Sequence, residues 1–209
     1  MEQVKVRLTF TEQLLGTQPA DPELHTRFVA SKAPDAKSMA EEIAAMGAEE
    51  YAERGMTVFP RMEDGTPFLW NYQVEGFFKE AVRTLHKVPG TKSSKTKAYL
   101  KEIDNLIFVD SLLGDKRFRR QIPLYLPMDI DLGDTDCQRP LRASTPQGER
   151  VALAHSEVAP AGTYIEFQVT CFVGSDKGLV KEWLDYGEWK GMGQWRNAGN
   201  GRFEWEEIG

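Results

Sequence analysis

The 209-residue chain has little of what covalent or metal-based chemistry needs: two cysteines and three histidines. Cys137 and Cys171 are too few for a disulfide framework, and no Cys/His group has zinc-ligand spacing. Cys171 closes an apolar alternation and reads as a core thiol. No run of about 18 apolar residues exists, which excludes a membrane-spanning helix. The N-terminus, Met1-Glu2-Gln3-Val4-Lys5-Val6, lacks the apolar block of a signal peptide, so the cytoplasm is the expected compartment. Gly-x-Ser-x-Gly, a phosphate-loop lysine motif and His-Glu-x-x-His are also missing. Asp131, Asp134 and Asp136 crowd one loop, but the loop lacks the twelfth-position Glu of an EF-hand. No metal and no cofactor is expected.

What is present suits one folded domain: 41% hydrophobic residues for a core and 28% charged residues for its surface. The net charge of −6 opposes a polyanionic partner, because non-specific affinity for nucleic acid comes from neutralised phosphates. The charge is segregated, however. From Arg83 to Arg120 ten bases stand against four acids, whereas from Asp21 to Asp64 ten acids face five bases. Such runs are commonly solvated faces; here they also leave room for a basic groove on an acidic body.

Val4, Val6, Leu8 and Phe10 alternate with Lys5, Arg7, Thr9 and Thr11, the pattern of a half-buried strand with a basic outer face. An Ala/Glu-rich helix is expected over 35–54, with Ser38 as its N-cap and Glu41 three residues on. Val74, Phe77, Phe78, Ala81, Val82 and Leu85 form one apolar stripe and predict the main core helix. Lys87 to Lys97 reads as a mobile Lys/Ser/Thr-rich loop. Strands are expected at 103–109, 121–126 and 164–171, a hairpin at 138–157, and a final strand at 203–208. Between the last two strands lies a short helix carrying Leu179, Val180, Trp183 and Leu184, with Gly187 as its stop. The order predicts an α+β, ferredoxin-like (RRM-like) antiparallel sheet with helices on one face. Residues 1–209 are expected as a single domain, with 17–66 an inserted lobe and 138–157 an inserted hairpin.

Gly191-Met192-Gly193-Gln194-Trp195-Arg196-Asn197-Ala198-Gly199-Asn200-Gly201 is the most informative segment. Glycine costs backbone entropy, so four in eleven residues call for positive φ or a close approach. The enclosed Gln194, Trp195, Arg196 and Asn197 can stack on a base, pair with phosphate and hydrogen-bond a base edge. A turn before the last strand is the plain alternative. Trp183 and Phe203 are explained by core packing, but no periodicity buries Trp195.

Four segments resemble the RAMP superfamily, the RNA-binding subunits of CRISPR systems. The first strand ending in Leu14-Leu15-Gly16-Thr17 is similar to the family's opening strand and glycine turn. Asp64-Gly65-Thr66-Pro67-Phe68-Leu69, running to Val74-Glu75-Gly76-Phe77-Phe78-Lys79, resembles the backbone subunit's segment opening its first helix. Glu157-Val158-Ala159-Pro160-Ala161-Gly162-Thr163 resembles the family's step before a strand, and the closing glycine pairs resemble its glycine-rich loop. Glu75 stands where the family usually has a base, while the downstream base is kept as Lys79. RNA-cleaving members carry an Asp after the first strand; Asp21 lies in that region with no flanking motif, so catalysis is not carried over. The chain as a whole also resembles proteins of phages and prophages.

The leading expectation is a RAMP-like protein, related to CRISPR backbone subunits, that binds single-stranded RNA, such as a CRISPR RNA, without cutting it. Lys5 and Arg7 would face the open sheet, Lys79, Lys92, Lys95 and Arg196 would meet phosphates, and Trp195 would stack, framed by Gly191, Gly193, Gly199 and Gly201. The rival is a virus-encoded interaction protein, an anti-CRISPR-type mimic that binds CRISPR subunits; on either reading CRISPR effector subunits or copies of the chain itself are candidate partners. The third reading, a metal-independent endoribonuclease, has His25 and Asp21 as its candidates; His86 and His155 read as packing or surface residues.

Overall fold

The computed structural model describes residues 1–20, 56–96, 99–127, 130–145, 148–172 and 177–209. Asp21, His25 and the helix expected over 35–54 lie outside the described residues. The chain divides into two compact units. The first holds Met1–Leu14, Pro60–Asp129 and Pro160–Gly209, and the second Leu15–Phe59 and Ile130–Ala159. The chain therefore leaves the first unit twice and returns to it twice.

In the first unit the elements are β1 (Glu2–Phe10), β2 (Phe68–Trp70), α1 (Asn71–Leu85), α2 (Tyr99–Leu106), β3 (Ile107–Ser111), β4 (Gln121–Tyr125), β5 (Tyr164–Cys171), α3 (Lys177–Lys190) and β6 (Phe203–Ile208). β1 is central, antiparallel to β6 on one side (Leu8 opposite Trp205) and to β5 on the other (Val6 opposite Phe167). β3 and β4 share the far edge of β5: β3 runs along Phe167–Cys171, β4 along Tyr164–Ile165, and β2 extends the sheet from β4. The order β6-β1-β5-β3, with α1 after β1 and α3 before β6, is the ferredoxin-like α+β plan.

Period-two alternation places Val4, Val6, Leu8 and Phe10 of β1 and Ile165, Phe167, Val169 and Cys171 of β5 on the buried face. α1 answers with Val74, Phe77, Phe78, Ala81 and Val82, and α3 with Leu179, Val180, Trp183 and Leu184. Phe203 knits the layers, meeting Phe10 and Phe77 edge-on at 6.2 and 5.5 Å between ring centroids. At the start of α1, Gln73 Oε1 accepts the Trp70 N–H at 2.8 Å, reaching back from the first turn to satisfy a backbone donor.

Two local expectations are corrected. Residues 103–106 are the end of α2, not strand; the strand begins only at Ile107. Helix and strand abut without a turn residue, and the two buried periodicities merge into one apolar run. Gly187 does not stop α3, which continues to Lys190. A Cβ at Gly187 would fall 2.0 Å from Phe203 Cζ, so the glycine makes room for that ring.

The second unit contains the expected hairpin, Cys137–Thr145 against Gly148–Ser156. Thr57 runs parallel to Ser156, their hydroxyls 2.7 Å apart. The buried Glu157 accepts the Phe59 N–H at 2.7 Å, and its carbonyl accepts the Gly16 N–H at 2.9 Å. A Cβ at Gly16 would lie 2.6 Å from the Val58 carbonyl carbon.

Candidate nucleic-acid interface

The glycine-rich segment is a closed loop, tied at its neck. Gly191, Gly193, Gly199 and Gly201 all have positive φ, between 70° and 93°. Met192 N–H donates to Gly201 O at 2.9 Å, and Gly201 N–H donates to Gln13 O at 2.8 Å. A Cβ at Gly201 would sit 1.9 Å from Met192 O, so only glycine permits this crossing.

Within the loop, Trp195 has φ 52° and is the one non-glycine residue at positive φ among the described residues. A side chain in the left-handed region costs about 1–3 kcal/mol, and the surrounding bonds must hold it there. They do. The buried Asn200 donates through Nδ2 to Trp195 O at 3.2 Å and accepts from Gln13 Nε2 at 3.0 Å. Arg196–Ala198 then form a single 3-10 turn. The Trp195 side chain is thereby turned outward and left 43% exposed, with Asn197 exposed beside it. Arg196 forms an ion pair with Glu80 on α1, which ties its guanidinium to the helix.

The other expected bases fall into separate environments. Lys5 and Arg7 lie on the sheet face away from the helices, as their alternation with the buried residues requires. Lys5 is exposed and donates to Gly209 O at 3.3 Å. Arg7 Nη2 meets Glu166 Oε1 at 2.6 Å and Arg7 Nη1 meets Glu206 Oε1 at 3.2 Å. Its guanidinium lies 5.1 Å over the Tyr164 ring, and Tyr164 in turn stacks on Tyr125 at 4.8 Å. The bond from Glu166 raises the Arg7 pKa, with burial working against it. This face is therefore an acid-rich surface whose guanidinium is already satisfied.

On the helical side, Lys79 pairs with Asp104 of α2. Glu75, one turn earlier, is half-buried, and burial pushes its carboxyl above the usual range against the pull of Val109 N–H, Lys79 and Arg120. The Lys87–Lys97 segment is anchored, not loose, where it is described. Glu182 of α3 accepts from Lys92 N–H at 2.6 Å and Ser93 N–H at 2.9 Å, and the buried Ser93 hydroxyl accepts from Trp183 Nε1 at 3.0 Å. Lys92 and Lys95 are exposed on this tied turn. The sequence reasoning missed Glu182, the Tyr125–Tyr164 stack and the partner of Arg196. Strand alternation at Tyr164 offered a signal for the stack; nothing local marks the other two.

The chemistry available is stacking, ion pairing and hydrogen bonding. Asp136 pairs with His155 Nδ1 at 2.9 Å, and Asp131 accepts from Gly133 N–H. His86 Nδ1 lies 3.0 Å from Ser93 O. Among the described residues, no three His, Cys, Asp or Glu side chains converge as metal ligands would. No described helix is long and apolar enough to cross a membrane.

The fold and the loop together define a ferredoxin-like α+β protein with a rigid, glycine-framed aromatic loop at the edge of its helical layer. No family model and no curated protein matches the chain. Among solved structures, it is similar to a chain of the Type III-B Cmr-beta complex bound to cognate target RNA, at 10% identity and TM-score 0.45. That match covers 99% of this chain and 60% of the other, so this chain spans less than two thirds of that chain's length. A chain of a Type IV-B CRISPR complex is similar at 11% identity and TM-score 0.45, over 99% of this chain and 90% of that one. At these identities no residue role is carried across.

Proposed function

We propose that this chain is a RAMP-like protein, related to CRISPR backbone subunits, that binds single-stranded RNA without cutting it. The observation that carries the reading is Trp195: an aromatic ring turned to solvent by a left-handed backbone that four positive-φ glycines and Asn200 hold in place. An exposed ring fixed before the ligand arrives loses little freedom on stacking, which is what a base platform requires. Arg196, the next residue, supplies a charge held on α1 by Glu80. The pair with Glu80 engages one end of its guanidinium, and the remaining N–H donors can meet a phosphate. Asn197 can reach a base edge, and Lys92 and Lys95 add charge on a turn that Glu182 keeps ordered. No bond-breaking step is proposed. We keep a single-domain organisation, with 17–66 and 138–157 inserted in a ferredoxin-like core, as part of the proposal.

The test is filter binding of a labelled single-stranded RNA at two salt concentrations, followed by recovery of the RNA. Binding that weakens between about 50 and 200 mM salt, with intact RNA recovered, is the expected result. Wild-type protein that ignores RNA at about 50 mM salt would overturn the reading.

A second reading is favoured by the sheet face. Arg7 is neutralised by Glu166 and Glu206, and such a face suits a protein partner better than a polyanion. On this reading the chain is an interaction protein, of the kind a virus would direct at CRISPR effector subunits. It predicts a pull-down with such subunits and no RNA affinity.

A further inference from the structure

The densest basic run in the chain, Lys116-Arg117-Phe118-Arg119-Arg120, has no part in the loop described above. It connects β3 to β4, and the backbone ties its end to the start of α1: Asn71 N–H donates to Arg120 O at 2.9 Å. Arg120 Nε also lies 3.5 Å from Asn71 Oδ1. On either side of Asn71 in sequence stand two aromatic residues whose rings lie 13° from parallel, Trp70 and Tyr72, with centroids 6.2 Å apart. Phe68 meets Trp70 edge-on at 4.9 Å, so the inner ring is held by the sheet, and Tyr72 is the outer one, 52% exposed. Burial raises the Tyr72 phenol pKa while the charge of Arg120 works against it.

The charges in this run are not equivalent. Arg117 is bound by Asp115 at 2.7 Å and Arg119 by Asp110 at 2.7 Å. Lys116 and Arg120 enter no ion pair among the described residues and are both exposed. An exposed ring backed by a second ring, with the exposed Arg120 bonded to the residue between them and the exposed Lys116 on the same loop, matches the needs of a single strand: a π-face for a base and cations for its phosphates. A duplex hides its base faces from such a ring.

We propose that Tyr72, stacked on Trp70, forms with Arg120 and Lys116 a second contact for a single-stranded nucleic acid, distinct from the glycine loop. The proposal rests on the RNA-binding reading and extends it. Tyr72 and Glu80, the anchor of Arg196, are eight residues apart on α1, about 12 Å along the helix axis, so one short strand can reach both.

The experiment is fluorescence anisotropy of the full chain with labelled oligo-rU and oligo-dT of about 15 nucleotides, the length that one small binding domain covers. Tyr72→Leu should weaken binding by roughly 5- to 150-fold, the worth of one base–aromatic stack, and Tyr72→Phe should restore it. Lys116→Gln/Arg120→Gln should lower the slope of log affinity against log salt by about 1.4, two phosphate contacts on a single strand. The same losses are expected on both oligomers, because ring and phosphate are common to them. If Trp195→Ala weakens binding while Tyr72→Leu and the double variant bind as wild type, the second contact is overturned and the RNA reading stands. If wild type binds neither oligomer at about 50 mM salt, both fall together. The charge variants lie on an exposed loop, so they decide the matter even if Tyr72→Leu fails to fold.

Discussion

The open sheet face and the glycine loop each carry an arginine and an aromatic residue, yet they are built in opposite ways. On the sheet, Arg7 lies over Tyr164, Tyr164 is stacked on Tyr125, and Glu166 and Glu206 complete the set. The arrangement is self-sufficient, assembled from side chains on regular strands with no backbone strain. In the loop, Arg196 has one acidic partner and Trp195 has an unfavourable backbone angle and an outward ring. A region that spends stability to present a side chain differs in kind from one whose side chains satisfy each other. Strain that the structure over-determines is the commoner mark of a ligand site.

The largest effect that separates the two regions should come from Gly201→Ala. The left-handed backbone alone costs about 1–3 kcal/mol for a side chain, and the new methyl would collide with Met192 O. Thermal unfolding should drop by several degrees and RNA affinity should be lost. Gly199→Ala shares the sign of φ but meets nothing within 4 Å, so it should cost only about 1–2 kcal/mol. Equal melting shifts would show that the neck is not closed as described.

Trp195→Ala comes next. It should weaken single-strand binding by roughly 1–3 kcal/mol while the melting temperature changes little, since the indole is exposed and alanine keeps the same left-handed strain. A drop in stability with unchanged affinity would assign the ring to packing. Arg7→Gln should do less. Ion pairs at partly exposed sites contribute about 0–1 kcal/mol, so stability should fall slightly and the salt dependence of RNA binding should not change. A flattened slope would move the interface to the sheet face and reverse the comparison.

The smallest expected effect concerns Glu75. Its folded pKa is raised, so between the unfolded and folded pKa values the folded chain binds more protons. Stability therefore falls as pH rises through that window, and Glu75→Gln should remove this fall and leave the variant the more stable at neutral pH. Denaturant titrations at mildly acidic and neutral pH check the sign.

Much of the ferredoxin-like core was legible because it depends on periodicity. The stripe from Val74 to Val82 and the alternations of β1 and β5 are local patterns, and the structure buries those residues. The α2–β3 junction was not legible, since one apolar run serves two elements with different periods. Long-range pairings were invisible for a different reason. Glu182 grips Ser93 across 89 positions, and Arg196 reaches Glu80 across 116. No local signal distinguishes these carboxylates from solvated ones. The glycine loop sits between these extremes: its glycines announced positive φ, but which residue they would turn outward required the neck bonds to Gln13 and Met192.

β6 carries a consequence beyond its place in the sheet. Among the described residues it pairs only with β1, so its other side is an edge of the kind that recruits strands from neighbouring molecules. Glu204, Glu206 and Glu207 line it, and Glu207 is tethered to Lys181 at 2.6 Å. Two such rims brought together would set carboxylates against carboxylates, which opposes pairing even though Arg7 and Lys181 offset part of the charge. The acidity that works against a polyanion on one face thus guards this edge against a second copy of itself, as charged side chains on edge strands do.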